Sequence, residues 1–256
     1  MRDVGLEEAI RAAGGITELA RRVGISQPSV SNWERVPAER VLAVEAATKV
    51  GRAVLRPDLF DDRSASIDEV DQARSQEYAL LSALLVRAPD AALLKTLSQL
   101  RGDASPLGIA HVGLAEAASQ AKLESVEREF FNLFIGLGRG ELLPYGSYYL
   151  TGFLHERPLA RLREDIASLG IERDAGNVEP EDHAALLCEI MSGLVAQRFP
   201  APAGTDQMIF ERHLAPWIGR FFADLERAQE ADFYRRVGAL GRLFVEIETE
   251  SFALST

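Results

Sequence analysis

The sequence predicts an all-α protein of two parts, a small bundle of short helices over residues 1–62 and a larger all-helical body over residues 75–256. Three observations predict it. Apolar residues recur three and four apart along most of the chain, and no stretch alternates apolar with polar over a useful strand length. Glycine pairs and polar runs, among them Gly14-Gly15 and DDRSASIDEVDQAR at 61–74, punctuate those patterns. Charge divides at the same place: residues 1–62 hold 9 basic and 10 acidic side chains, leaving 19 basic and 29 acidic in the remainder.

Composition narrows the function classes. A chain of 256 residues with 47% hydrophobic side chains has room for a real core. No run approaches the ~18 apolar residues of a membrane span. The start of the chain, with Asp3, Glu7 and Glu8, lacks the basic-then-apolar pattern of a secretory signal, so a cytoplasmic protein is expected. A single cysteine, Cys188, excludes an internal disulfide and a cysteine-based zinc cluster; within the apolar run AALLCEIM it reads as a buried, inert thiol. The acidic excess of the larger part repels nucleic acid and favours basic partners, which confines any DNA contact to residues 1–62.

Within that first part, helices are predicted at Leu6–Ala13, Thr17–Val23, Ser26–Arg35 and Ala38–Thr48. Gly24 with Ile25 leaves a turn too short for antiparallel packing, so the second and third helices must cross steeply as a helix-turn-helix. Ser26 is a good N-cap and Pro28 suits a first helical turn. Val30 and Trp33 share the core face, which leaves Gln27, Ser29 and Asn32 to reach base edges, with Arg21, Arg22 and Arg35 around them for phosphates. GGITELARRVGISQPSVSNWERVPAERVLAVEAAT followed by LRPDLF resembles the YdaS/Cro-like helix-turn-helix regulators over most of residues 5–60, with Lys49 where that family often has glycine. The resemblance implies that the helix opened by SQPSVSNWE enters the major groove. A homodimer is then expected, because one such module covers only a half-site.

Residues 63–74 read as a linker. Beyond them helices are predicted at Glu77–Val86, Ala91–Leu100, Gly108–Leu123, Val126–Leu137, Gly146–Leu169, Pro180–Arg198, Ile209–Ala228 and Ala231–Leu254. Two places break the pattern. Glu129–Leu154, EFFNLFIGLGRGELLPYGSYYLTGFL, is interrupted by three glycines and carries Tyr145, Tyr148 and Tyr149, three of the five tyrosines, amphipathic rings suited to gripping a partner. The second, Glu179-Pro180-Glu181-Asp182-His183, reads on capping grounds as a helix start with Pro180 in the first turn and Glu181 and Asp182 on the positive helix end.

The two breaks, in this order, resemble the TorD/DmsD family of cytoplasmic chaperones over roughly residues 75–254. The resemblance implies an all-helical chaperone domain that binds the twin-arginine signal peptide of a molybdoenzyme subunit in its apo form, holding it back from export until the cofactor is inserted. Carried over at matching positions, the peptide-binding candidates are Leu133, Phe134, Pro144, Tyr145, Ser147, Tyr149, Asp182, His183 and the late aromatic Trp217, with Glu181 added because carboxylates pair guanidinium forks. Gly146 stands where many members have a polar or acidic residue. His183, at an ordinary pKa of roughly 6.5, is a candidate pH-sensitive contact.

Catalysis is set aside. GLGRG has no preceding strand and no GK[ST] after it, the four histidines show no metalloprotease spacing, and no nucleophile elbow occurs, so no catalytic residue, metal or cofactor is assigned. Two readings stay open: a maturation chaperone whose first part is a fusion passenger or dimerisation device, and a transcriptional regulator in which the larger part senses the client peptide.

Overall fold

A computed structural model describes residues 3–56, 69–171 and 179–254, and divides the chain into one compact unit over Met1–Ile67 and another over Asp68–Thr256. Among the described residues every regular element is helical, as the periodicity predicts, and the only β pairing is an isolated bridge between Tyr145 and His183.

The first unit holds α1 (Val4–Ala13), α2 (Ile16–Val23), α3 (Gln27–Ser31), a 3₁₀ turn at Ala38–Arg40, α4 (Val41–Thr48) and α5 (Arg52–Leu55). Asp3 caps α1 through the Gly5 N–H, and Gly14 and Gly24 end α1 and α2 in left-handed conformation (φ 88° and 74°), where glycine escapes the Cβ clash. Leu6, Leu19, Val30, Val36, Val41, Val44 and Leu55 close the core, with Trp33 packed against it. The predicted third helix is too long. It stops at Ser31 because the next residues turn back into the core, the Trp33 N–H bonding to Val30 O and the Asp3 N–H to Glu34 O. Arg35 therefore lies beyond α3.

The second unit is built around α12 (Ala184–Val195), which is apolar on every side and buried at every position but Glu189. It packs on α6 (Glu69–Val86), while α15 (Phe233–Leu254) packs on α14 (Ile218–Arg227) and on α8 (Pro106–Gln120). Between them run α7 (Ala91–Leu97), α9 (Leu123–Phe130), α10 (Gly146–Thr151), α11 (Arg157–Ser168) and α13 (Thr205–Ile209). Gly241 lets α14 and α15 approach closely, since a Cβ there would meet the ring of buried Phe222.

Several boundaries differ from those predicted. The predicted linker overlaps α6: residues 63–68 lie outside the described residues, but 69–74 are helical, and Arg74 ties α6 to α15 through Glu248 (2.8 and 2.9 Å) and to Asp206 (3.2 Å). The predicted single helix over Gly146–Leu169 is two, α10 and α11, because Gly152 ends the first with φ 83°. Two helices lead into π turns, at Phe131–Ile135 and Phe210–Leu214, where the Gly136 and Ala215 N–H groups bond five residues back. Glu129 is no part of a peptide surface; its buried carboxylate accepts the N–H groups of Asp232, Phe233 and Tyr234 and caps α15.

Candidate peptide-binding site

The two unusual stretches, far apart in sequence, lock together. The Gly146 N–H bonds to Asp182 O (2.9 Å) and the Ala184 N–H to Pro144 O (2.8 Å), on either side of the Tyr145–His183 bridge. Asp182 then turns its carboxylate onto the start of α10, accepting from the Ser147 N–H (2.7 Å) and from the Ser147 hydroxyl. Tyr145 donates to Glu179 (2.6 Å) and meets the His183 ring edge-on at 5.1 Å. Residues 179–183 are thus a turn ahead of α12, and the expectation that Pro180, Glu181 and Asp182 form its first helical turn is corrected: His183 is the N-cap, its Nδ1 accepting from the Ala185 N–H (3.1 Å).

That bond needs an unprotonated Nδ1. Burial pushes His183 down to about 4, against the opposing pull of Glu179 and Asp182. His183 is therefore neutral across the physiological range, which corrects its candidacy as a pH-sensitive contact.

Trp217 is fully buried behind this junction, its Nε1 donating to His213 O (2.6 Å), with the Tyr149 ring 5.5 Å away. The indole also accounts for the departure at Gly146. A Cβ there would sit 3.0 Å from Trp217 Nε1, so a side chain has no room.

Six of the ten predicted peptide contacts, Leu133, Pro144, Ser147, Asp182, His183 and Trp217, are buried and hold the junction from within. Phe134, Tyr145, Tyr149 and Glu181 keep part of their surface. Phe134 packs edge-on against Phe130 and Tyr234. Tyr149 donates to Asp224 (3.0 Å) and carries the Arg220 guanidinium over its ring. Glu181 accepts from Nε of Arg163 (2.8 Å) and pairs with its guanidinium, a terminal nitrogen lying 2.8 Å from the same oxygen.

The glycines of GLGRG shape a return turn: after Gly136 (φ 62°) and Gly138 (φ 96°) the chain folds back, the Glu141 N–H onto Asn132 O and the Leu142 N–H onto Leu133 O.

Sequence reasoning missed the open surface beside the junction. A cavity of about 430 Å³ lies between α10, α11 and the second π turn, lined by Gly146, Leu150, Pro158 and Leu162 and by the charged or polar Arg161, Glu164, Asp165, Asp182, Arg212 and His213. Asp165 bonds to His213 (2.8 Å) and Arg212 (3.4 Å), and these contacts, His213 foremost, hold its carboxyl below the usual range. Leu150 (40% exposed) lines the cavity, and Phe153 (68%) and Leu154 (40%) follow it in the loop after α10. The run LTGFL was a usable signal, because a glycine among apolar residues at a helix end frees them from the helix face.

In the first unit, Gln27, Ser29 and Asn32 are all exposed, opposite buried Val30, as predicted. Ser26 caps α3 (3.4 Å from the Ser29 N–H), and Gln27 reaches Ser31 Oγ (2.9 Å). Arg21 and Arg22 both lean on Glu18, and their hydrogen bonds pull its carboxyl down to about 2.

Known proteins carry the same two patterns. Residues 100–223 match the family model described as the nitrate reductase delta subunit, and residues 6–64 the model described as bacterial toxin YdaS. The chaperone protein TorD of Shewanella pealeana is 23% identical over 218 residues, covering 75% of this chain and 96% of its own. The larger unit is similar in sequence to TorD chaperones. Beside it, the first unit is 40% identical over 60 residues to a protein of Escherichia coli described as a candidate transcriptional regulator, YdaS, covering 21% of this chain and 60% of that protein. A solved structure described as a candidate redox enzyme maturation protein from Archaeoglobus fulgidus aligns with 70% of this chain and 95% of its own, at 20% identity and a TM-score of 0.45. Among the described residues of the TorD-like chain no helix is long and apolar enough to cross a membrane.

Proposed function

We propose that the TorD-like unit is a redox-enzyme maturation chaperone that binds the twin-arginine signal peptide of a molybdoenzyme subunit before export. The observation that carries this reading is the open cavity that Leu150 lines together with Gly146 and Asp182 of the interlocked LPYGS and EPEDH segments, with exposed Phe153 and Leu154 following Leu150 in the next loop. A twin-arginine peptide joins a basic end to an apolar core. Its receptor needs an apolar wall with carboxylates beside it; Leu150 and Glu164 line the cavity, Phe153 follows in the loop after α10, and Glu181 belongs to the EPEDH turn, which supports the reading. Six of the residues first expected to touch the peptide instead set the wall's position. The acidity of the unit speeds encounter with a basic segment.

The test is fluorescence anisotropy of a labelled peptide with two arginines and an apolar core. Affinity on the order of micromolar is expected, as suits a transient partner. Phe153→Asp should weaken it about tenfold, by removing apolar contact and desolvating a new carboxylate. Unchanged binding by Phe153→Asp, or no binding of any such peptide, would overturn the reading.

The first unit supports a DNA-binding reading through one arrangement, the exposed Gln27 and Ser29 on a short helix held by a buried Val30, with exposed Asn32 as that helix's C-cap. Mobility-shift titrations on the DNA upstream of the coding region should give a shifted species that Asn32→Ala abolishes; a shift indifferent to Asn32→Ala refutes base reading by α3.

A further inference from the structure

We propose that Arg163 is a resident stand-in for an arginine of the bound peptide, occupying Glu181 until the peptide's guanidinium displaces it. The inference rests on the peptide-binding reading above. The pair sits beside the cavity in sequence on both sides, Leu162 and Glu164 flanking Arg163 and Asp182 following Glu181 among the lining residues, and Glu181 is itself well covered: its side chain is 13% exposed, while that of Arg163 is 51% exposed. The carboxylate is therefore the built, fixed half of the pair and the guanidinium the open half.

The geometry of the pair is also submaximal. Nε of Arg163 donates to one oxygen, Oε2, at 2.8 Å, and the nearest terminal nitrogen stands 2.8 Å from that same oxygen as an ion-pair contact. The strongest guanidinium–carboxylate contact spreads two N–H donors over two carboxylate oxygens, and a guanidinium arriving from the solvent side can adopt that fork. A half-exposed partner gains little from such an ion pair, since long side-chain entropy and screening offset most of the attraction. Displacing Arg163 thus costs the peptide only a few-fold in affinity. What the protein gains is discrimination: Glu181 is never left bare for a stray lysine or an inorganic cation, and only a ligand able to outcompete an arginine holds it. The arrangement selects arginine over lysine, because a point-charge ammonium cannot reproduce the fork.

Anisotropy titrations of the full chain separate the possibilities. Arg163→Gln should bind a two-arginine peptide about three- to fivefold more tightly, the amount an exposed pair withholds. Glu181→Gln should bind it about tenfold more weakly. The double variant Arg163→Gln, Glu181→Gln should bind like Glu181→Gln alone, because removing the stand-in matters only while the carboxylate is there. Arg157→Gln removes the same charge from the same helix without touching Glu181 and should change affinity less than twofold. A peptide with both arginines replaced by lysine should show a smaller gain from Arg163→Gln. Arg163→Lys, which keeps the charge, should fall between wild type and Arg163→Gln.

Equal or weaker binding by Arg163→Gln, or the same tightening in the Glu181→Gln background or in Arg157→Gln, overturns the proposal. If wild type binds no two-arginine peptide at all, the chaperone reading itself fails, a result distinguishable from wild type binding well and Arg163→Gln binding no better.

Discussion

Asp182 offers the sharpest test of how the site is built. It was expected to pair a peptide arginine, yet it is 3% exposed and accepts both the N–H and the hydroxyl of Ser147 at the start of α10. Hydrogen bonds to a charged acceptor are worth about 1.5–3 kcal/mol each, and an orphaned buried N–H costs about 1–3 kcal/mol. Relief from desolvating the carboxylate offsets part of that, so Asp182→Ala should destabilise the unit by roughly 3 kcal/mol. For a unit the size of Asp68–Thr256, each kcal/mol moves the melting midpoint by about 2–4 °C, which gives a fall of about 6–12 °C. Melting curves by circular dichroism, run beside peptide titrations, measure it. A midpoint within about 2 °C of wild type, combined with lost peptide binding, would refute the reasoning and return Asp182 to the ligand-contacting surface.

Gly146→Ala should cost about 1–3 kcal/mol by overpacking, because its new Cβ would stand 3.0 Å from the fully buried Trp217 indole, and the near-UV circular dichroism of that tryptophan should change with the melting point. His183 titrates at about 4 in the fold against 6.5 unperturbed, so the unfolded chain binds its proton first and the contribution to stability falls as pH drops from about 6.5 to about 4. His183→Asn keeps an N-cap acceptor and removes the titration; its denaturant midpoint should fall less steeply than that of wild type over that pH range. Cys188 is fully buried and pushed up to about 12 by burial, so thiol reagents at pH 8 should label it only after unfolding, and rapid labelling of native protein would contradict the packing around α12.

How far the sequence carried the structure depends on the range of each signal. Gly14, Gly24 and the Ser26 cap act within a turn of the chain, and the helix boundaries they predict in the first unit are close to those observed. The length of α3 was not legible, because Trp33 and Val36 leave the helix for a core assembled from α1, α4 and α5. The Glu69–Arg74 stretch looked like linker because it is polar; its Arg74 is held by Glu248, 174 positions away, a pairing no local pattern announces. The exposure of Phe153 and Leu154 follows from the left-handed Gly152, which ends α10.

The sequence by itself determined the all-α class, the division into a short-helix unit and a larger acidic one, the exposed face of α3 opposite Val30, and the two stretches, LPYGS and EPEDH, that break the helical pattern. Periodicity, caps and glycine breaks are short-range effects and are written in consecutive residues. Only the tertiary structure decided what those stretches do. Asp182 looks like a surface carboxylate until Ser147, 35 positions earlier, is placed against it, and Glu181 looks free until Arg163, 18 positions earlier, closes on it. Burial and pairing depend on which groups the fold brings within hydrogen-bond reach, and in this protein that buried six of the ten residues expected to contact a ligand.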